Sequence, residues 1–366
     1  MTAIDHVLVT GGAGFIGTHL TRALLDRGLR VTVVTRSERP WRPIDPRARA
    51  LRLNLAEVNL DEALADVDAV YHLAWASIPA TADADPARDV VANVPASIRL
   101  AQACVRAGVR FLGFTSSGGA IYGDAGTARL SETAPPRPIS SYGISKLTVE
   151  HYLALYRRQE GLNAVAFRPS NAYGPLQDPA GGLGALTAFT RRTLDGEPIE
   201  IWGDGTVVRD FLYVSDLVDG MVAALARVFS GDTLPAYNLA LGASVSLNDL
   251  AELVFATLGA RVPIRRLPPR PFDVPAVLLD TTRARTDLGW TPRVGLAEGI
   301  ARVGAWLRAG TRRPRGRNRH EHSPRGRRRA RPVDCGRHLQ FRPPVGALPG
   351  LDWSGSAAGV RRGKHR

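Results

Sequence analysis

The fold of this chain is decided by the stretch His6-Val7-Leu8-Val9-Thr10-Gly11-Gly12-Ala13-Gly14-Phe15-Ile16-Gly17, in which a short apolar run is followed by glycines at the spacing of Gly11, Gly14 and Gly17. A helix-like apolar pattern follows, and a second apolar run spans Val31 to Val34. In such a strand–helix–strand unit Gly11 permits a tight turn, Gly14 lets the backbone approach a pyrophosphate, and Gly17 lets the helix pack closely. The helix N-terminus then faces the phosphate charge. The stretch therefore predicts a dinucleotide-binding unit.

The end of the second strand bears on the choice of dinucleotide. An acidic residue at this point would hold the ribose hydroxyls of NAD, but the chain has Thr35 and Arg36. An arginine without a carboxylate favours a 2′-phosphate, and hence NADP. Alternatively, Arg36 covers the adenine face of NAD, and the sequence leaves both cofactors open. Asn54 and Leu55, after the third strand, are expected to flank the adenine.

A tyrosine and a rare lysine form the second signal. Of the 48 Lys and Arg residues only Lys146 and Lys364 are lysine, and Lys146 stands four residues after Tyr142. On a helix these two side chains share a face, so we expect the ammonium to favour the phenolate and to lower the pKa of Tyr142. A tyrosine tuned in this way suits proton transfer at neutral pH. The alternative is an exposed helical pair of no consequence.

Together these motifs resemble the extended short-chain dehydrogenase/reductase family, in its NAD-dependent nucleotide-sugar epimerase and dehydratase branch. The resemblance covers about residues 5 to 308. Asn93 matches the asparagine that the family carries on its long fourth helix, although Pro95-Ala96-Ser97 is not the usual sequence there. The cofactor contacts that the resemblance implies are Gly11, Gly14, Phe15, Ile16, Gly17, Thr35, Arg36, Asn54, Leu55, Leu73, Ala74, Asn93, Tyr142, Lys146 and Pro169.

The segment Thr115 to Gly123 resembles the strand end that supplies the family's catalytic serine or threonine. Counting from the strand end points to Ser117, whereas counting back from Tyr122 lands on Gly118, as though the double glycine were an insertion. We prefer Ser117, with Ser116 in reserve, to hydrogen-bond the substrate oxygen at which Tyr142 acts. Dehydratases of the family carry an acidic pair in this segment, and its absence here makes elimination an unfavoured reaction.

Three further residues are expected to bind substrate by the same resemblance. Asn171 lies in the family segment that leaves the sixth strand, and Arg209 matches the arginine that binds the nucleotide diphosphate. Arg270 resembles a second such arginine. Two guanidinium groups suit a pyrophosphate, although each arginine taken alone is also typical of a surface ion pair.

The net charge of +14 lies almost entirely at the C-terminus. From Arg312 to Arg366 sixteen Lys or Arg residues stand against three acidic ones, and the remaining residues carry 32 basic against 31 acidic side chains. This tail has no apolar period and is predicted to be disordered. It is either a polyanion-binding arm or an appended sequence without selected function, and we favour the second. Nucleic-acid binding is not expected of the residues before Arg312.

Composition and element order predict an α/β protein with a Rossmann-type doubly wound parallel sheet. The expected division is a dinucleotide-binding domain over 1–170, with 214–241 returning to its sheet, and a substrate lobe over 171–213 and 242–311. Helices near 89–107 and 142–160 resemble those through which family members dimerise, so a homodimer is expected.

Apolar runs are too short to span a membrane, and the early first strand leaves no room for a signal peptide, which predicts a cytoplasmic enzyme. Neither the two cysteines, Cys104 and Cys335, nor the eight histidines have metal-ligand spacing.

The resemblance, together with the two motifs, implies an enzyme that moves a hydride between NAD(P) and C4 of a nucleotide-diphosphate hexose. Tyr142 would act as acid and base, Lys146 would hold the ribose, and Ser117 would assist. The leading reaction is C4 epimerisation through a 4-keto intermediate. The alternative within the family is an NADPH-dependent 4-ketoreductase of deoxysugar assembly, which Thr35 and Arg36 support. From another class, a non-catalytic NAD(P)-binding protein is disfavoured by the intact Ser117, Tyr142 and Lys146.

Overall fold

The computed structural model describes residues 4–311 apart from 39, 41, 58, 125, 127, 179–183, 226, 228, 230, 232 and 271–273. The predictions for the basic tail over 312–366 therefore lie outside the described residues, as does Cys335.

The described strands and helices alternate along most of the chain. The strands are β1 His6–Thr10, β2 Arg30–Thr35, β3 Arg49–Arg52, β4 Ala69–His72, β5 Phe111–Thr115, β6 Arg129–Leu130, β7 Ala164–Pro169, β8 Asn171–Tyr173, β9 Ile199–Trp202, β10 Val208–Tyr213, β11 Ala236–Leu239, β12 Ser244–Ser246, β13 Ile264–Leu267 and β14 Leu278–Leu279. The helices are α1 Phe15–Leu25, α2 Asp61–Leu64, α3 Pro79–Ala84, α4 Pro86–Arg106, α5 Gly118–Ile121, α6 Ser141–Glu160, α7 Ala185–Asp195, α8 Val214–Leu225, α9 Leu247–Leu258, α10 Thr282–Leu288 and α11 Leu296–Thr311.

Seven parallel strands form the main sheet, in the order β11-β7-β5-β4-β1-β2-β3. All residues of β1, β4, β5 and β7 are buried, because helices cover both faces of the sheet. The strand order reverses at β1, which pairs with both β2 and β4. This confirms the predicted doubly wound parallel sheet, and it places a crevice at the carboxyl ends of β1 and β4.

Two long helices, α4 and α6, pack against each other on one face of this sheet. Asp85 caps α4 by accepting a hydrogen bond from the backbone N–H of Arg88 at 3.0 Å. The Ser140 side chain caps α6 by accepting from Gly143 N–H at 3.2 Å, and α6 ends at Gly161 in the left-handed conformation. These caps fix where Tyr142 and Lys146 lie along α6.

A second group of elements follows β7. It contains a three-stranded sheet in the order β12-β10-β8 and an apolar core between α7, α9 and α11. The small pair β13-β9 belongs to it, and β14 pairs with β6, which precedes β7 in the chain. Within the described part of the chain, no helix is both long and apolar enough to cross a membrane.

Candidate functional site

The glycine-rich turn after β1 is closely packed against the loop that follows β4. Gly11 has φ +68°, and a Cβ atom there would lie 2.8 Å from the backbone nitrogen of Ala74. Gly14 donates a backbone hydrogen bond to Gly11 O at 2.8 Å and caps α1, which begins at Phe15 and continues with Ile16. A Cβ atom on Gly17 would overlap the Gly11 carbonyl. Only glycine fits these approaches, and the turn leaves the N-terminus of α1 open to an anion.

A cavity of about 420 Å³ opens beside this turn, at the carboxyl ends of β1, β2 and β4. Nine residues that the sequence predicts for the cofactor lie in its wall: Gly11, Gly14, Thr35, Arg36, Asn54, Leu55, Leu73, Ala74 and Asn93. Trp75 and Ala76, which continue the loop after Leu73 and Ala74, lie in the same wall. A glycine cradle, an open helix N-terminus and a cavity of this size fit the adenosine and diphosphate of a dinucleotide.

The side chains at the end of β2 differ in their contacts. The Thr35 hydroxyl accepts a hydrogen bond from Ser37 N–H at 3.2 Å. The Arg36 side chain is exposed and makes no hydrogen bond or ion pair with any residue that the structure describes. Its guanidinium is thus available at the rim of the cavity.

The loop after β4 is held by buried polar side chains. His72 shares hydrogen bonds with Thr10 Oγ1 and with Ser97 Oγ, both at 2.8 Å. Burial, with a smaller contribution from the nearby Lys146 charge, lowers the pKa of His72 to about 3. His72 is therefore neutral, and it joins β1, β4 and α4 rather than serving as an acid or a base.

Asn93 holds the same loop from α4. Its Oδ1 accepts a hydrogen bond from Ala76 N–H at 2.8 Å, and its Nδ2 donates to the carbonyl and the carboxylate of Asp89, each at 2.9 Å. The amide of Asn93 is thus committed to the loop and to Asp89, while the residue also lines the cavity.

Lys146 lies at the centre of the site and is buried. Its ammonium donates a hydrogen bond to the Thr115 carbonyl at 2.7 Å and lies 3.7 Å from the centroid of the Trp75 ring. Burial lowers the pKa of Lys146 to about 7, against the opposing charges of Asp89 and Glu150. Such a cation is stabilised by the carbonyl and by the aromatic face rather than by water.

Tyr142 lies one helical turn before Lys146, with Trp75 against it at a centroid distance of 6.0 Å and an interplanar angle of 75°. Burial, together with the negative charge of Asp89, raises the pKa of Tyr142. The expectation that Lys146 lowers the pKa of this phenol is therefore wrong for the described residues. The physical reason is that the loss of hydration on burial and the charge of Asp89 both disfavour the phenolate, while the Lys146 ammonium contacts the Trp75 ring and the Thr115 carbonyl.

The two candidate serines differ in their surroundings. Ser117 is half-buried at the start of α5, whereas Ser116 is buried and its Oγ finds no hydrogen-bond partner among the described residues. A Cβ atom on Gly118 would lie 2.8 Å from the Arg168 carbonyl, while Gly119 faces open space. Gly118 is thus required by packing against the end of β7, where Pro169 also lies. A serine side chain at position 118 would meet this backbone.

The three residues predicted for substrate lie in or beside the second group of elements. Asn171 is on β8 and donates to Asp210 O at 2.9 Å, and Arg209 is on the neighbouring β10. Arg209 donates to the carbonyls of Val208 and Val274 at 2.9 and 2.7 Å. The Arg270 guanidinium lies 5.3 Å from the centroid of Trp202, a partly exposed aromatic ring that the motifs did not indicate.

No cluster of three or more His, Cys, Asp or Glu residues in the described part of the chain could hold a metal ion. The chemistry available at the site consists of the Tyr142 phenol, the Lys146 amine and the hydroxyls of residues 115–117. Trp75 contacts both Tyr142 and Lys146 and lines the dinucleotide cavity.

Known proteins share both the sequence and this architecture. A UDP-glucose 4-epimerase of Mycolicibacterium smegmatis is 36% identical over 310 residues, which are 82% of this chain and 98% of the relative. The UDP-glucose 4-epimerase of Thermotoga maritima, solved with UDP-glucose, is 35% identical with a TM-score of 0.78 and covers 84% of this chain and 99% of its own. The Thermus thermophilus enzyme, solved with NAD, has 35% identity and a TM-score of 0.76 over 83% of this chain and 99% of its own.

The family prediction made from the two motifs is tested directly by these likenesses. The family described as "NAD dependent epimerase/dehydratase family" matches residues 7–240, a span that contains the glycine-rich turn, Tyr142 and Lys146. With the turn, the helix pair and the relatives in agreement over most of the body, this chain belongs to the NAD dependent epimerase/dehydratase family.

Proposed function

We propose that this protein is a C4 epimerase of a nucleotide-diphosphate hexose that works with a bound nicotinamide dinucleotide. The observation that carries the proposal is that Tyr142 and Lys146 both contact Trp75, which lines the dinucleotide cavity, while the Lys146 ammonium donates to the carbonyl of Thr115, just before Ser116 and Ser117. UDP-glucose is the first substrate to test, because the relatives described above are UDP-glucose 4-epimerases.

The residues of the chain have separate roles in this reaction. When bound, the dinucleotide supplies a hydride acceptor that can return the hydride to the sugar. The Tyr142 hydroxyl exchanges the proton at the C4 oxygen, and Ser117 donates a hydrogen bond to the same oxygen. Lys146 holds the nicotinamide ribose by its ammonium, and we expect Pro169 to contact the cofactor as well.

The high pKa of Tyr142 suits the phenol as proton donor in the reductive half of the cycle. For the oxidative half the phenol must give up its proton, so a positive charge has to approach it. Lys146, which is on the same helix face and already within 5.6 Å of the ring, is the residue in place to provide that charge.

The diphosphate and the base are expected to contact the second group of elements. Asn171 and Arg209 lie on neighbouring strands, so one ligand can reach both. The Trp202 ring beside Arg270 offers an aromatic face next to a guanidinium, which suits a base and its phosphate. These expected substrate contacts support the proposed division of the chain, in which 1–170 with 214–241 binds the cofactor and 171–213 with 242–311 binds the substrate.

A second candidate function rests on Arg36. Its exposed guanidinium at the rim of the cavity, without a carboxylate at the end of β2, favours the 2′-phosphate of NADP. NADPH that leaves after each turnover would suit a one-way 4-ketoreductase.

We further propose that the protein forms homodimers in the cytoplasm. Most of the exposed large apolar side chains in the described residues lie on α4, on α6 or just before α6, namely Val90, Val91, Ile139, Ile144, Tyr152 and Leu155. An apolar surface made by two adjacent helices fits a four-helix contact between two copies.

The free, buried thiol of Cys104, whose pKa burial raises to about 12, suits a reducing compartment.

Two experiments on the purified full-length protein test the enzymatic proposal. Mass spectrometry of the small molecules released on denaturation is expected to find NAD near one per chain. Conversion of UDP-glucose to UDP-galactose should then fall by about 10²-fold or more in Tyr142→Phe. Tyr152→Phe, the same change on the exposed face of α6, is the matched control and should retain turnover.

The outcomes separate the candidates. Normal turnover in Tyr142→Phe would refute both enzymatic functions. A protein that carries no nucleotide and binds NADPH more tightly than NADH would favour the 4-ketoreductase.

A further inference from the structure

Asp89, a residue of α4 that no motif singled out, is buried at the contact with α6, with 3% of its surface exposed. Its Oδ2 accepts a hydrogen bond from Ser145 Oγ at 2.6 Å. Its Oδ1 accepts from Asn93 Nδ2 at 2.9 Å and from Ser77 Oγ. A carboxylate that accepts three hydrogen bonds is held in one orientation.

These hydrogen bonds join two parts of the site. Ser145 is the residue directly before Lys146 on α6. Ser77 belongs to the loop after β4, and Asn93 holds the same loop through Ala76 N–H. This loop carries Trp75, whose ring lies against the Lys146 ammonium. Asp89 therefore links the lysine and the aromatic ring that covers it.

The charges around Lys146 are few. Asp89 faces it from α4, Glu150 and the neutral Tyr142 share its own helix, and His72 faces it from β4 in the neutral form. Glu150 forms a buried ion pair with Arg168 at 2.6 Å. Asp89 forms no ion pair with the residues that the structure describes. Of the two carboxylates near Lys146, Asp89 is thus the one whose charge no arginine offsets.

We propose that Asp89 is a positioning residue, which keeps Lys146 protonated and holds the Trp75 loop against it. The consequence for catalysis rests on the proposed function, in which the Lys146 ammonium holds the cofactor ribose and assists Tyr142. The electrostatic link between Asp89 and Lys146 does not depend on that function. It follows from a buried carboxylate and a buried amine placed in one site.

The scarcity of lysine allows a direct test. With only Lys146 and Lys364 in the chain, the full-length protein labelled with ¹³C and ¹⁵N lysine gives two side-chain signals, and Lys364→Arg leaves one. In this background the ¹³Cε shift of Lys146 is followed against pH. We expect a midpoint near the pKa of about 7 that burial produces, and a decrease of about one pH unit or more in Asp89→Asn.

Asp83→Asn is the matched control. The Asp83 carboxylate also reaches α6, where it accepts from Ser141 N–H at 2.7 Å, but its charge does not contribute to the pKa of Lys146. The titration midpoint of Lys146 in Asp83→Asn should equal its midpoint in the Lys364→Arg protein. If Asp89→Asn fails to fold, Asp89→Ser removes the same charge and keeps a hydroxyl for Ser145. An unchanged midpoint in the folded Asp89 variant, or an equal change in Asp83→Asn, would overturn the proposal.

The pH profile of turnover gives the second measurement. Loss of the Asp89 charge should move the alkaline limb of kcat/KM to lower pH, because Lys146 loses its proton earlier. A uniform decrease at every pH would mean that Asp89 is only structural. If the chain lacks epimerase activity altogether, the NMR midpoints still decide whether Asp89 sustains the charge of Lys146.

Discussion

The ammonium nitrogen of Lys146 lies 3.7 Å from the centroid of the Trp75 ring, and 2.7 Å from the carbonyl oxygen of Thr115. The rings of Phe114 and Tyr142 follow at 4.9 and 5.6 Å. A buried amine in this setting exchanges its water shell for one carbonyl and aromatic faces, so burial makes its protonated form less favourable in free energy than it is in water. The consequences extend to stability, to acid sensitivity and to the reaction.

Lys146 should make stability depend on pH above neutrality. Its pKa is about 7 in the folded protein against 10.5 for the ordinary amine, so between these values the unfolded chain binds a proton that the folded chain does not. The free energy of unfolding therefore rises with pH in this window, by up to about 1.4 kcal/mol per pH unit. Urea unfolding of wild type and Lys146→Met from pH 6 to 9.5 should show the rise in the wild type only. Parallel curves would contradict this account.

His72 should make the protein sensitive to acid. Its pKa is about 3 in the folded state against 6.5 for ordinary histidine, so the unfolded chain binds the extra proton between these values. Stability is then lost as the pH falls from about 6.5 towards 3, again by at most about 1.4 kcal/mol per unit. The His72→Gln variant should lack this part of the slope in denaturant titrations. His151→Gln, on the exposed face of α6, should keep the wild-type slope.

Gly118 and Gly119 should differ in how much stability is lost when each is replaced by alanine. In Gly118→Ala the new methyl group meets the Arg168 carbonyl at 2.8 Å and the Leu279 side chain, so we expect a loss of about 1–3 kcal/mol. In Gly119→Ala the methyl group faces open space in the same short helix, and stability should be kept or slightly raised. Thermal unfolding of both variants measures the difference, and equal effects would refute the packing role of Gly118.

The two serines are separated by paired alanine variants. Ser117→Ala should lower kcat for UDP-hexose epimerisation by about 10²-fold, since one donor to the reacting oxygen is lost. Ser116→Ala should have the smaller effect, because its hydroxyl is buried and makes no hydrogen bond to the described residues. Steady-state kinetics at saturating substrate give the comparison. The opposite order would identify Ser116 as the acting serine.

The apolar surface of α4 and α6 should hold two copies together. Val91 is 70% exposed and Ile144 is 52% exposed, so Val91→Asp combined with Ile144→Glu introduces four charges per dimer into the proposed contact. Analytical ultracentrifugation should show a dimer for the wild type and a monomer for the double variant. Trp202→Ser removes an exposed aromatic side chain outside this surface and should leave the dimer intact.

The sequence by itself determined the features whose cause is local. The spacing of Gly11, Gly14 and Gly17 predicts the turn, since Gly14 and Gly17 both lie close to the Gly11 carbonyl a few residues before them. The apolar runs predict the parallel sheet, and the interval of four residues places Tyr142 and Lys146 on one face of a helix. Nine residues of the cavity wall were also predicted: eight lie at or after strand ends, and Asn93, on α4, follows from the family resemblance.

Only the tertiary structure decided what surrounds the reactive groups. Lys146 contacts Thr115, which is 31 residues away in sequence, and Trp75, which comes from another loop. The charge of Asp89, on another helix, also acts on it. The spacing of Tyr142 and Lys146 predicts a lowered pKa for the phenol, whereas its burial and Asp89 raise that pKa. The sign of such a shift is set by the balance between lost hydration and all nearby charges, and both depend on which distant segments pack together.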